Sequence, residues 1–267
     1  MTSDELLAHR YGPAHRPEEV QDSEVLDLIL RHRSVRRFTD EPVADSAIAA
    51  MIAAASSAST SSNMQTMSVV VVRDPATRDA LGRVSGTSRP LATAPVALVW
   101  LVDWSRNTAL AERAGHADSW TQYLDSVLAG AIDTGLAAQN AVITAESLGL
   151  GACFIGSLRD DPDRVAEILG LPPKVFAAFG LALGHPDPAD TSGVKPRLPQ
   201  SVVVHHERYA AADLEALDVY DEVAREYFTG QGMDQGWADR IEQRFAQAPG
   251  PRTGVRAALE RRGFALR

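Results

Sequence analysis

The feature that most limits the fold is a single stretch, residues 120–148. It carries a helical pattern that neither proline nor a turn cluster interrupts. A helix of about 29 residues runs about 43 Å at 1.5 Å per residue, which is more than one compact domain needs. Small residues recur along it at Ala129, Gly130, Ala131, Gly135, Ala137 and Ala138. They let a second backbone come close, so the stretch is either the centre of a dimer or a long core helix in a monomer. Gly149-Leu150-Gly151 stops it.

Around this helix the chain predicts a sheet of few strands. Residues 67–72 and 96–102 are unbroken β-branched or apolar runs, which predict strands buried on both faces. Residues 152–157 form a short strand that leads into a loop, and 176–183 a longer one that closes at Gly184-His185-Pro186, with His185 as a turn residue. Val202-Val203-Val204 reads as a short strand. Short helices fit 76–84 and 161–169, while 103–119 reads as a polar excursion. The tail 213–267 is helical and amphipathic, with breaks at 230–236 and 249–251. The division this suggests is an irregular N-terminal arm (1–21), a body (22–212) and a C-terminal helical extension (213–267).

The densest chemistry lies near the start. Asp22 or Ser23 can cap a helix that ends near His32, and Asp45 or Ser46 the next one. Between them runs Arg31-His32-Arg33-Ser34-Val35-Arg36-Arg37-Phe38-Thr39-Asp40, with four arginines and a histidine in seven residues. This is a solvated helix C-terminus or a site for a phosphate on a small molecule, since guanidinium forks match anionic oxygens. A second basic motif, Lys195-Pro196-Arg197, is stiffened by proline, and the two could close on one ligand. The cluster Ser56-Ser57-Ala58-Ser59-Thr60-Ser61-Ser62-Asn63-Met64-Gln65 ends a helix in a loop and also offers hydroxyls suited to a ribityl chain or a phosphate.

Other chemistries lack a carrier. A net charge of −9 argues against a nucleic-acid surface. Cys153 stands alone, so no internal disulfide forms and a cytoplasmic setting is expected. The amino terminus lacks a signal-peptide pattern, and no apolar run approaches the roughly 20 residues of a membrane helix. The chain contains neither the glycine-rich dinucleotide fingerprint nor a phosphate-binding P-loop, and it has no nucleophile elbow. His205-His206-Glu207 follows a strand in this reading, where neighbours point apart, so no metal site is expected. Basic motifs, a hydroxyl loop and no acid–base dyad fit a protein that takes its chemistry from a bound cofactor.

Five motifs in order then resemble one family. They are His32-Arg33-Ser34-Val35-Arg36-Arg37-Phe38-Thr39, the loop Ser59-Thr60-Ser61-Ser62 with Gln65, and Asp133-Thr134 through Gln139-Asn140 to Gly151. Ile155-Gly156-Ser157-Leu158-Arg159 and Lys195-Pro196-Arg197-Leu198-Pro199 with Val204-His205 complete the set. Together they resemble the FMN-dependent nitroreductases, most closely the branch of the major oxygen-insensitive NADPH nitroreductases and NADPH–flavin oxidoreductases. The resemblance implies an α+β fold with a central mixed or antiparallel sheet and surrounding helices. It also implies a homodimer built on the long central helix, with one FMN at each of two interface sites.

Carried over by motif, the FMN contacts are His32, Arg33, Ser34, Arg36, Gln65, Lys195 and Arg197, with Thr60, Ser61 and Ser62 approaching from the other subunit. Phe154, Ile155, Gly156 and Ser157 run along the flavin ring, and Ser88 stands where relatives often carry a glutamine near it. The implied activity is ping-pong transfer from NADPH or NADH to nitroaromatics, quinones or free flavin, with no catalytic side chain of the protein's own. Phe154 replaces a tyrosine and Ser157 a second glycine of the family pattern. Residues 227–237 lack the arginines that relatives use for the NADPH 2′-phosphate, which leaves Arg252 as the nucleotide-binding candidate. The alternatives are a flavin carrier or sensor without catalysis, and a specialised member of the fold with another acceptor.

Overall fold

The computed structural model describes residues 2–13, 15–17, 19–84, 89–211 and 213–267. Along the chain run α1 (Ser3–Tyr11), α2 (Glu24–Leu30), α3 (Asp45–Ser56), β1 (Met67–Val72), α4 (Pro75–Val84), α5 (Arg89–Thr93), β2 (Val96–Asp103), α6 (Ser105–Arg113) and α7 (Leu124–Ser147). Then follow β3 (Gly151–Ile155), α8 (Pro162–Leu169), β4 (Val175–Gly184), α9 (Gln200–Val203), α10 (Leu214–Gly230), α11 (Trp237–Phe245) and α12 (Val255–Arg261). Short 3-10 turns occupy Ser61–Asn63, Gly156–Asp160 and Gly250–Gly254. Two compact units result. One gathers Met1–Arg33 and Thr191–Ala248, the other Ser34–Asp190 and Pro249–Arg267. Each is assembled from two separate stretches of the chain, so these limits cross the sequential division into arm, body and extension.

The larger unit is built on the sheet. Among the described residues the strands form one four-stranded sheet in the order β1-β2-β4-β3, and every pair is antiparallel. β2 is buried along its whole length because both faces are covered. Val96, Leu98 and Trp100 pack with Met51 and Ala55 of α3 and with Ala137, Ala138, Ala141 and Val142 of α7. Ala97, Val99 and Leu101 point the other way, to Leu81 of α4, Leu91 of α5 and Val165 of α8. The chain end returns to this unit, where Leu259, Phe264 and Leu266 join Val102, Trp104 and Phe176.

β1 departs from the expectation of a strand buried on both faces. Among the described residues it is an edge strand paired with β2 alone, half-buried, with Val71 40% exposed. Unbroken β-branched sequence does not distinguish an edge from a centre. The polar stretch 103–119 also holds a helix, α6, in place of an irregular excursion.

α7 is shorter than its sequence pattern. Residues 120–123 are turn, held by Thr121 N–H to Asp118 Oδ1 at 3.1 Å, and the helix has 24 residues. Some of its small residues serve the chain's own sheet. A Cβ at Gly130 would lie 2.5 Å from Val102 Cγ1, and Ala137 and Ala138 are core. The opposite face exposes an apolar stripe at four-residue spacing: Leu124 (47%), Leu128 (52%), Ile132 (60%) and Leu136 (47%).

The smaller unit is helical. Its N-terminal arm, expected to be irregular, contains α1, started by a reciprocal cap between Thr2 and Glu5. Leu6 and Leu7 pack with Leu30 of α2, and Ser3 Oγ donates to Asp27 Oδ1 at 2.6 Å. Ser23 caps α2 by accepting from Leu26 N–H, as its position predicts. In the larger unit, neither Asp45 nor Ser46 caps α3. The N-cap is Ala44, and Asp45 pairs with Arg73 at 2.6 Å. A second cluster joins Tyr220, Ala224 and Phe228 of α10 with Leu198 and Trp237. The expected strand 202–204 is instead the single turn α9. Val204 N–H reaches Gln200 O at 2.8 Å, and Pro199 supplies helix-compatible φ at its start.

Candidate cofactor site

In the smaller unit the two basic motifs are joined by a residue from neither. Arg10, at the end of α1, is only 6% exposed. Its guanidinium donates to the His32 carbonyl at 2.5 Å, the Lys195 carbonyl at 2.9 Å and the Ile29 carbonyl at 3.5 Å. The Arg10 carbonyl in turn accepts from Arg197 N–H at 2.6 Å. One buried side chain therefore sets the main chain at His32 and Lys195 together. Arg33 is oriented by Ser192, whose hydroxyl accepts from its Nη1 at 2.9 Å and whose carbonyl does so at 3.3 Å. Beside Lys195 and Arg197 opens a cleft of about 510 Å³, lined also by Tyr11, Tyr220, Phe228 and Trp237. Burial raises the Tyr220 phenol above its ordinary value, with the Arg197 charge acting against it.

In the larger unit, the next residues of the first motif join the sheet. Ser34 bridges to Ala152, and Val35 N–H donates to Ala152 O at 3.0 Å. Gly151 permits this approach, since a Cβ there would lie 2.6–2.9 Å from three atoms of Val35. The N–H groups of Arg36 and Arg37 both donate to Asp190 Oδ2 at 2.9 Å, which leaves the Arg36 side chain exposed and turned back to Ser34 O at 3.1 Å. The third motif therefore supports the first.

The hydroxyl loop is held by α7. Asp133, 3% exposed, accepts from Ser61 N–H with both carboxylate oxygens at 3.0 Å and from Ser61 Oγ at 2.9 Å. Ser62, Asn63 and Gln65 take positive φ, so the loop doubles back tightly. Arg106 Nη2 donates to Gln65 O at 2.8 Å and Met67 O at 3.0 Å, and Asn107 holds Met64 O at 3.0 Å. Thr60, Gln65, Arg106 and Asp133 line a small cleft of about 160 Å³. At the end of β3, Phe154 is exposed and meets Phe179 edge-on at 5.3 Å, and Ile155 is buried. Gly156 and Ser157 open the following turn. A side chain at Gly156 would first meet the Arg159 guanidinium, at 3.1 Å. Burial lowers the Arg159 pKa, as does the neighbouring charge of Arg252. Arg252 itself pairs with Asp160 at 2.9 Å. Ser88 lies outside the described residues.

Comparison with known proteins decides the family. The model of the nitroreductase family matches residues 29–88 and 83–185, and that of its C-terminal domain matches 195–267. The chain is 37% identical over 248 residues to the oxygen-insensitive NADPH nitroreductase of Salmonella typhimurium, which covers 92% of this chain and all of that protein. The chain belongs to the nitroreductase family. Another relative of this nitroreductase is the NADPH-flavin oxidoreductase of Vibrio harveyi, 34% identical over 91% of the chain and 98% of that protein. Among solved structures, B. megaterium NfrA2 superposes with a TM-score of 0.87 at 35% identity, over 92% of this chain and all of that one. The V. harveyi NADPH:FMN oxidoreductase complexed with NAD+ does so with 0.83 at 34% identity, over 92% and 100%.

The sequence reading of this nitroreductase singled out Asp133 only as part of a motif, without its role as the anchor of the hydroxyl loop. It missed Arg10, Arg106 and Asp190. The main chain that each of these side chains holds lies 19 to 185, 39 to 41 and 153 to 154 residues away, so no local signal marks that role. The family models begin at residue 29, so α1 lies before them.

Proposed function

We propose that this nitroreductase is an FMN-dependent enzyme that passes electrons from NADPH or NADH to nitroaromatics, quinones or free flavin. The observation that carries the reading is the joined pair of basic motifs within a chain similar along nearly its whole length to NADPH nitroreductases and flavin reductases. The residues fit the group. His32, Arg33, Lys195 and Arg197 offer charge-assisted donors of the kind a phosphate takes, on main chain already set by Arg10. In the larger unit, Ser34 and Arg36 offer a hydroxyl and an exposed guanidinium. Thr60, Ser62 and Gln65 present polar groups from a loop whose backbone is pinned, while Ser61 spends its hydroxyl on Asp133. Phe154, Ile155, Gly156 and Ser157 offer an apolar edge and a close main-chain approach. Bound FMN supplies the two-electron chemistry; the side chains bind, orient and neutralise charge.

The reading includes a homodimer, supported by the outward stripe of Leu124, Leu128, Ile132 and Leu136 on α7. It also places the enzyme in the cytoplasm, supported by the single buried cysteine. Among the described residues no helix is long and apolar enough to cross a membrane.

The test is a visible spectrum of the purified protein before and after anaerobic NADPH and, separately, NADH. A flavin band bleached by either nucleotide is expected, and the faster one identifies the donor. A band that neither bleaches would point to a carrier. Protein that neither contains nor takes up FMN would overturn the assignment. For the assembly, Ile132→Lys together with Leu128→Lys is expected to convert a dimer to monomer in light scattering. A monomeric wild type would remove the dimer.

A further inference from the structure

We propose that Arg10, on the N-terminal helix that precedes the family models, is a positioning residue for the phosphate end of the cofactor. The proposal rests on the FMN reading above. The geometry is specific. One guanidinium, 6% exposed, donates to carbonyls on both basic motifs, His32 O at 2.5 Å and Lys195 O at 2.9 Å, which lie 163 positions apart in the chain (195 − 32). The same residue's carbonyl receives Arg197 N–H at 2.6 Å, so the segment bearing Lys195 and Arg197 is tied to α1 from both sides. The Arg10 guanidinium is engaged by main-chain carbonyls of both motifs. It acts through His32, Lys195 and Arg197 by fixing where their side chains originate.

The helix is committed to this placement. Its start is capped by Thr2 and Glu5, Leu6 and Leu7 are buried, and Ser3 is bonded to Asp27 of α2. Arginine is the residue type the arrangement needs. Its planar fork reaches two acceptors at once, whereas a lysine ammonium is a single point of charge on a flexible stem. Cationic groups recognise a phosphate best when held in place beforehand, because ordering them on binding costs free energy. The arm thus supplies a pre-organising element from outside the segment that the family models cover.

The test compares FMN with riboflavin, which has the same ring and ribityl chain and no phosphate, as ligands of flavin-free protein. Binding is read by quenching of flavin fluorescence for wild type, Arg10→Ala and Arg10→Lys. Wild type is expected to prefer FMN strongly. In Arg10→Ala the FMN dissociation constant should rise about tenfold or more, while that for riboflavin stays within about twofold. Arg10→Lys should fall between wild type and Arg10→Ala. A brace that merely keeps the domain folded would weaken both ligands alike, and that outcome overturns the proposal. So does an unchanged preference for FMN in Arg10→Ala. If Arg10→Ala does not fold, Arg10→Lys decides by the same comparison. Wild type that binds riboflavin as tightly as FMN would instead overturn the phosphate reading of the basic motifs, whatever Arg10 does.

Discussion

Replacing Asp133 examines whether α7 governs the hydroxyl loop. The carboxylate is buried and receives the Ser61 N–H at 3.0 Å on each oxygen and the Ser61 hydroxyl at 2.9 Å. Hydrogen bonds to a charged partner contribute about 1.5–3 kcal/mol each, and a buried donor left without one costs about 1–3 kcal/mol. Removing the carboxylate also relieves its own burial, which offsets part of the loss. The net expected for Asp133→Ala is a destabilisation of about 2–3 kcal/mol. At roughly 2–4 °C per kcal/mol for a domain of this size, Tm should fall by about 4–12 °C. Asp133→Asn keeps the shape and one acceptor but loses the charge, so its fall should be about half as large. Unfolding is followed by circular dichroism on flavin-free protein at one fixed concentration, so that neither ligand nor association alters the comparison. The same variants should gain less stability than wild type from saturating FMN. An Asp133→Ala Tm within about 1 °C of wild type, or Asp133→Asn falling further than Asp133→Ala, would refute the reasoning.

Other sites give sharper local tests. Gly151→Ala would press a Cβ to 2.6 Å from Val35, so overpacking of about 1–3 kcal/mol and weaker FMN binding are expected in denaturation and titration. Unchanged stability would show that the 34–36 segment adapts freely. Burial acts to raise the Asp118 carboxyl, but the Lys174 ion pair at 2.6 Å and the Thr121 hydrogen bonds outweigh it and hold it below its ordinary 3.8. Its stabilisation is therefore present above that value and lost as pH falls through the lower folded one. Asp118→Asn should lower Tm at pH 7 and cost much less below about pH 3, and an equal cost at both would exclude the ion pair as the cause. Arg252→Ala should raise KM for NADPH more than for NADH, and equal increases would limit Arg252 to its pairing with Asp160.

How much of this was legible in the sequence depends on the range of the interaction involved. Apolar runs long enough to cross a sheet identified β2 and β4, and helical periodicity identified α7, because these patterns repeat within a few residues. The basic motifs, the hydroxyl loop and Gly151 were visible as residue types in order, which suffices for a family and for candidate contacts. The pattern did not separate the edge strand β1 from a central one, since exposure depends on whether a neighbour pairs on the far side. It took Val202-Val203-Val204 for a strand by β-branching alone, where only the presence of a pairing partner decides. It left α7's small residues open between a second chain and the chain's own core, and in the structure Gly130 meets Val102 of the same sheet while Leu124, Leu128, Ile132 and Leu136 carry the outward face. By itself, then, the sequence determined the periodic elements and the stock of basic and hydroxyl side chains. Only the tertiary structure decided how those groups are held, through Arg10, Asp133, Arg106 and Asp190. Each acts on main chain far away in sequence, and a hydrogen bond to a distant carbonyl or amide leaves no periodic trace in the residues that make it.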